Sequence, residues 1–134
     1  MNKGYVLYLP AWYPHRFDTM FGLFVQRHAR ISATDRPVIV LYVFGYEGKI
    51  KNETSIKQSG NLIEYIQYYR KFSSGFKILD SAIRFWQYFY YSFYLFKKIK
   101  ATHGLPELAH VNILTRAGIV AFLLKKQYKI PYVI

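Results

Sequence analysis

An unbroken apolar run near the N-terminus constrains the fold most. Tyr5–Leu9 is apolar at every position, which is typical of a strand that helices cover on both faces of a parallel sheet. A helix follows over about Thr19 to Ala33, capped by Asp18 or Thr19, with its apolar side chains at three-to-four spacing: Phe21, Phe24, Val25, His28 and Ile31. A second apolar run, Val38–Phe44, completes a βαβ unit.

The rest of the chain continues this alternation. The segment from Gly48 to Gly60 is polar and predicts an exposed excursion. The later pattern predicts a strand at Leu62–Tyr69, a long helix at Lys77–Thr102, a strand at Leu108–Asn112, a helix at Ala117–Tyr128 and a last strand from Pro131 to Ile134. We therefore expect a single α/β domain over residues 1–134 with a doubly wound, Rossmann-like parallel sheet.

Size and charge limit the class of protein. A chain of 134 residues has room for one core, and without cysteine it has neither disulfides nor a thiolate nucleophile. The stretch without charges in the aromatic region, Phe85–Phe96, has twelve residues, against the roughly 20 that span a bilayer. The net charge of +12 favours anionic partners such as nucleic acid, lipid headgroups or phosphorylated sugars. We expect a cytoplasmic location.

Two groups of motifs carry a resemblance to a known family. The chain has Leu9-Pro-Ala-Trp-Tyr-Pro followed by Phe21-Gly-Leu-Phe-Val-Gln-Arg-His-Ala, and later Glu107-Leu-Ala-His-Val-Asn, Thr115-Arg-Ala-Gly and Ile130-Pro-Tyr-Val-Ile. In order and spacing this resembles the N-terminal domain of family-four retaining glycosyltransferases of the glycosyltransferase-B fold. The chain departs from that pattern at Glu107, where the family has aspartate, and at Asn112, where it has the second histidine of His-x-His.

The resemblance implies an enzyme with two Rossmann-like domains that face a cleft. This domain would bind the acceptor, a glycan or a lipid-linked sugar, while a second domain would hold the nucleotide-sugar donor as a substrate, with no cofactor. We expect the chain to be truncated within its last strand, to lack that donor-binding domain and to be inactive alone. The implied role is polysaccharide or glycolipid biosynthesis.

The loop after the first strand holds the first candidate site residues. Gly22 lies near the start of the first helix, where backbone N–H groups attract anions, so it either faces the donor phosphates or permits tight packing of the helix on the sheet. His15 and Arg16 lie at the carboxyl end of a central strand, where open α/β sheets bind ligands, or else belong to a solvated loop. Trp12 either stacks on an acceptor sugar or anchors the loop.

The fourth predicted strand holds the second group. Alternation places His110 and Asn112 on one face, where they and Arg116 would bind acceptor hydroxyls, although His110 also fits a buried strand histidine. His28 fits a core histidine of the first helix. We expect no metal site, because the four histidines are scattered without nearby carboxylates.

The long helix is unusually aromatic. Ten aromatic residues fall between Phe76 and Phe96, around its whole circumference. The helix is either sandwiched inside the domain or presents a surface to a membrane or a partner, including the expected second domain. The residues assigned to that surface are Trp86, Tyr90, Tyr94, Lys97 and Lys98.

The leading hypothesis is therefore a glycosyltransferase domain in the cytoplasm, peripheral at the inner face of the membrane. The alternative is a non-catalytic basic module that binds nucleic acid or other anions. The charge supports the alternative, but the basic residues are spread along the chain and match no nucleic-acid-binding motif.

Overall fold

The computed structural model describes residues 4–48, 51–111 and 116–133. Strands and helices alternate along most of this chain. The elements are β1 (Val6–Leu9), α1 (Leu23–Ser32), β2 (Val38–Tyr46), β3 (Glu53–Ser59), β4 (Leu62–Arg70), α2 (Lys77–His103), β5 (Leu108–Val111), α3 (Arg116–Tyr128) and β6 (Tyr132–Val133).

All six strands form one mixed sheet in the order β3-β4-β2-β1-β5-β6. Every neighbouring pair is parallel except β3 with β4. From β1 the chain builds outwards through β2 to β4 and β3, and then returns to the other side of β1 with β5 and β6. The α/β class predicted from the alternating apolar runs is confirmed.

The segment between Gly48 and Gly60 was predicted as an exposed excursion; it is mostly exposed, but part of it forms strand β3, which the sequence did not predict. This strand pairs antiparallel with β4, from Glu53 opposite Tyr68 to Ser59 opposite Leu62. Gly60 has a φ of 60°, the conformation that a two-residue hairpin loop requires at its first position. The strand is mostly exposed, so pairing with β4 holds it in place rather than burial.

Helices cover both faces of the sheet. On one face, Val25 and Ala29 of α1 pack on Val6, Tyr8 and Val40. On the opposite face, α2 and α3 pack on the alternate side chains of the same strands, through buried residues that include Phe89, Leu95, Phe96, Ile99, Val120, Ala121 and Leu124. The central strands β1 and β2 are buried on both faces over most of their length, as an unbroken apolar run predicts.

Helix α1 differs from its prediction in both its start and its buried face. It begins at Leu23 rather than Thr19, because the preceding Gly22 has a left-handed backbone conformation that no right-handed helix contains; Asp18 instead accepts a hydrogen bond from the Met20 N–H within the loop. Its buried side chains are Val25 and Ala29, so the prediction that other large apolar residues face the core was wrong. Four residues predicted on the buried face are exposed instead: Phe21, Phe24, His28 and Ile31. Ala29 allows α1 to lie close to the sheet, which places the bulkier residues outside.

Candidate functional site

The loop between β1 and α1 is anchored by one buried tyrosine. Tyr13 is completely buried, and its hydroxyl donates to the carboxylate of Glu64 on β4. Burial raises the pKa of Tyr13, and the hydrogen bond to Glu64 raises it further. Gln26 of α1 donates to the same carboxylate oxygen at 2.8 Å. This network fixes the loop at the carboxyl end of β1.

His15 is buried in that loop rather than solvated. Its ring stacks on Phe44 with the ring centroids 3.8 Å apart, and its Nδ1 accepts a hydrogen bond from the Phe17 N–H at 3.2 Å. Burial lowers the pKa of His15, while the charge of Asp18 opposes that change. His15 therefore shapes the loop, and its access to a ligand is limited.

Arg16 is exposed and connects the loop to the β3–β4 hairpin. Its guanidinium forms an ion pair with Glu53 and lies 4.0 Å from the ring centroid of Tyr68. Its backbone N–H donates to the Tyr68 hydroxyl at 3.0 Å. The hydrogen bond to Glu53 is the main reason that the pKa of Arg16 is raised. Arg16 is thus held in place at the edge of the loop.

Gly22 immediately precedes α1 and has a φ of 66°. A Cβ atom there would lie 2.5 Å from the carbonyl carbon of Trp12 and 2.7 Å from the backbone nitrogen of Tyr13. The space beside its Cα is therefore filled by the chain itself. Tight packing accounts for the glycine, and the role in facing donor phosphates stays a prediction.

Large apolar side chains surround the start of α1. Trp12 is 44 % exposed, with its ring centroid 6.4 Å from that of Phe21, while Met20 and Phe24 are more exposed still. Trp12 is therefore partly covered by the loop and partly open to solvent. Its open ring can stack on a planar or sugar ligand.

The predicted residues on β5 are only partly described. His110 is half-buried, and its ring centroid lies 4.8 Å from that of Tyr8 on β1 and 5.9 Å from that of His28 on α1. Burial lowers the pKa of His110, with a further contribution from His28. Contrary to the prediction of a core histidine, His28 is exposed. Asn112 lies outside the described residues, and Arg116 begins α3.

A polar pocket lies beside this loop; it is lined by His15 and Arg16, which the sequence predicted as site residues, and by residues that the sequence did not indicate. It has a volume of about 320 Å³ and lies between α1, the loop and the β3–β4 hairpin. Glu64 and Tyr68 contribute to its lining from β4, Ser55 and Lys57 from β3, and Arg30 from α1. We call it the polar pocket. Antiparallel pairing of β3 places these β3 side chains beside Glu64, which could be recognised only once β3 was known to be a strand.

The second candidate surface is a groove between α2 and α3, which we call the aromatic groove. It has a volume of about 730 Å³ and is lined by Phe85, Trp86, Phe89, Tyr90, Phe93, Tyr94, Lys97, Ile119 and Leu123. Trp86 is 70 % exposed, so α2 is not sandwiched inside the domain. Lys98 lies at the flank, where its Nζ donates to Thr54 at 3.0 Å and lies 4.6 Å from the ring centroid of Tyr94.

Two further observations concern the described part of the chain. Within residues 4–48, 51–111 and 116–133, no three histidine, aspartate or glutamate side chains group as metal ligands would. None of the helices in these ranges is both long and apolar enough to cross a bilayer.

A scan of the chain against protein-family models returned no match, and a search of curated proteins returned none either.

Proposed function

We propose that this chain is the acceptor-side N-terminal domain of a retaining glycosyltransferase of the glycosyltransferase-B fold. In this proposal the sheet is the doubly wound, Rossmann-like half of the enzyme, and a second domain binds the nucleotide sugar. The reaction moves a sugar from that donor to a glycan or lipid-linked acceptor during polysaccharide or glycolipid assembly. The motifs at Leu9–Pro14 and Phe21–Ala29 support the family.

The observation that carries the proposal is the reversal of strand order at β1. Strands β2 and β5 lie on opposite sides of β1, and all three run parallel. In open α/β sheets, ligands bind at the carboxyl ends of the strands where the order reverses. The loop that carries Trp12 and Arg16 follows β1 at this position, which suits an acceptor site.

The residues of the loop suit different tasks in such a site. Trp12 offers a partly open ring for stacking on a sugar, and Arg16, which is paired with Glu53, keeps further guanidinium N–H groups that can donate to sugar hydroxyls. His15 stabilises the loop by stacking on Phe44. Substitution at the anomeric carbon leaves negative charge on the departing diphosphate, and N–H groups near Gly22 together with basic side chains would stabilise that charge.

We also propose that the aromatic groove contacts the cytoplasmic face of a membrane. Tyrosine and tryptophan rings with lysines at one end are typical of a lipid interface. From Ser81 to the end of α3 the only acidic residue is Glu107, whereas α2 and α3 carry exposed lysines such as Lys97 and Lys126. Anionic lipid headgroups attract such a surface by about 1 kcal/mol per lysine. A lipid-linked acceptor would lie in the same membrane.

The two tryptophans allow one experiment to test both surfaces. Trp12→Phe leaves Trp86 as the only tryptophan in the aromatic groove, and Trp86→Phe leaves Trp12 in the loop. With phosphatidylglycerol vesicles, we expect a blue shift of the Trp86 emission and little change from Trp12. Adding a polyprenyl-diphosphate sugar to those vesicles should then change the Trp12 emission. If the Trp86 emission does not change with vesicles, the membrane proposal is overturned. If the Trp12 emission does not change when the lipid-linked sugar is added, the proposed acceptor site is overturned.

The transfer reaction and the alternative function need their own assays. Sugar transfer from a nucleotide sugar by residues 1–134 alone would contradict the assignment of the donor site to a second domain. The alternative, a basic module that binds nucleic acid, is supported by the net charge of +12. Tight binding to single-stranded or duplex nucleic acid that falls steeply with salt, with weak binding to anionic vesicles, would favour it.

A further inference from the structure

The polar pocket owes its existence to the way the chain connects β2 to β4. A parallel sheet is normally covered by helices on both faces, and a helix usually joins its successive strands. Here the hairpin strand β3 makes that connection instead. In the described part of the chain, α1 is the helix packed on this face, so the sheet stays open between α1 and β3.

A buried carboxylate forms part of the pocket lining. Glu64 is only 4 % exposed, and both of its hydrogen bonds in the described structure, from Tyr13 and Gln26, end at Oε2. Glu64 lines the polar pocket, so its carboxylate can accept a further hydrogen bond from a ligand through the remaining oxygen, Oε1. Burying a carboxylate costs several kcal/mol, which polar partners must offset.

Two cations reach the same pocket from opposite sides. Arg30 comes from α1, and Lys57 lies directly opposite Glu64 in the register of β3 and β4. The ion pairs among the described residues involve other arginines, so neither Arg30 nor Lys57 lies within ion-pair distance of a carboxylate there, although Glu64 is close to both. Arg16, also at the pocket, is already paired with Glu53. Arg30 and Lys57 together exceed the single negative charge of Glu64, and this excess of positive charge in the pocket favours an incoming oxyanion.

We propose that the polar pocket binds one anionic sugar unit, with its phosphate or carboxylate group on Arg30 and Lys57 and a hydroxyl group donating to Glu64. The volume of about 320 Å³ lies at the lower end of the range for small-molecule sites, which suits one sugar ring. In the proposed transferase this unit would belong to the acceptor. Binding does not require the transfer reaction, so the two proposals can fail separately.

Calorimetric titration of the full chain tests the proposal with four probes. These are glucose 6-phosphate, glucuronate, glucose and inorganic phosphate. We expect at least one of the two anionic sugars to bind with a Kd of about 1 mM or below. Glucose and inorganic phosphate each offer only part of the interaction, so each should bind about tenfold more weakly. Comparison of glucose 6-phosphate with glucuronate then identifies the anionic group.

Charge-matched variants separate the pocket from the general positive charge. Arg30→Gln should weaken binding of the anionic sugar about tenfold or more. Arg27→Gln removes the same charge from the same helix at an exposed position outside the pocket lining, and should weaken binding by less than about twofold. Equal losses in the two variants would overturn the proposal, because they would show attraction by net charge alone.

The sugar hydroxyl contact has a separate readout. Glu64→Gln should reduce the preference for glucose 6-phosphate over inorganic phosphate, with folding checked by circular dichroism. If that variant does not fold, the comparison of glucose 6-phosphate with inorganic phosphate in the unaltered chain tests the hydroxyl contact, and Lys57→Gln, at an exposed position, tests the contact with the anionic group through its loss of affinity for the anionic sugar. Inorganic phosphate that binds the unaltered chain as tightly as glucose 6-phosphate would overturn sugar recognition. Absence of binding by both anionic sugars would overturn the proposal as a whole.

Discussion

Replacing Gly22 with alanine tests whether tight packing or ligand binding requires the glycine. Its φ of 66° is a left-handed conformation, which costs a residue with a Cβ atom about 1–2 kcal/mol. The new methyl group would also lie 2.5 Å from the carbonyl carbon of Trp12. Overpacking of this kind costs about 1–3 kcal/mol, because the backbone must move. The total is about 2–5 kcal/mol, a large part of the roughly 5–15 kcal/mol that stabilises a domain.

Gly60 offers a matched control for the backbone strain. Its φ of 60° is nearly the same, but no atom lies within 4 Å of the position that a Cβ would take. Gly60→Ala should therefore cost only the conformational part, about 1–2 kcal/mol. The difference between the two variants isolates the contact of α1 with the loop at Trp12 and Tyr13.

Urea unfolding followed by circular dichroism measures both variants. With a slope of about 2 kcal/mol per molar, the midpoint should fall by roughly 1–2.5 M for Gly22→Ala and by about 0.5–1 M for Gly60→Ala. Equal midpoints for the two variants would refute the packing argument. The left-handed backbone conformation alone would then account for the glycine, at the same cost as at Gly60.

Two predictions concern pH and follow from groups whose pKa is lowered in the fold. Asp80 accepts hydrogen bonds from the Ser74 side chain and from the backbone N–H groups of Ser74 and Gly75, and these lower its pKa. Its stabilisation is present above about pH 4 and is lost on acidification, so the stability difference between the unaltered chain and Asp80→Asn should shrink towards pH 2 in urea titrations. Burial lowers the pKa of His15, so its contribution is complete above about pH 6.5 and falls below it. His15→Asn should therefore lose less stability than the unaltered chain between pH 7 and pH 5; an equal loss would contradict this assignment.

The central part of the fold was predictable because burial on both faces leaves a clear pattern. β1 and β2 are almost wholly buried, and only apolar side chains at every position satisfy that environment. The exposed aromatic side chains of α2 were also predictable, because one helix cannot bury its whole circumference against a sheet. In both cases, the number of apolar side chains and the area of sheet or helix that can cover them determined which side chains are buried and which are exposed.

The pattern failed where backbone pairing or small residues control the structure. β3 is mostly exposed, so its residues show no apolar pattern, and its hydrogen bonds to β4 could not be predicted from one. In α1, the small side chain of Ala29 lies on the sheet, while Phe24 and Ile31, whose size predicted that they would be buried, are exposed.

The same limits apply to the candidate sites. The loop after β1 was located from its position after a central strand. The network of Tyr13, Gln26 and Glu64 was not, because it joins residues that are 38 and 51 positions apart in sequence. Glu64 lies in a mostly apolar strand that also contains Gln67 and Arg70, and nothing local marks its carboxylate as buried.

The hairpin connection between β2 and β4 also affects the order in which the sheet forms. β3 and β4 are joined by two residues, so they pair at a small cost in chain entropy. Closing β5 onto β1 brings together residues about 100 positions apart, such as Val6 and Leu108. We therefore expect the hairpin half to become ordered first and the β1–β5 pairing to limit the folding rate. The crevice where the strand order reverses, at the proposed acceptor site, would then be among the last parts of the molecule to form.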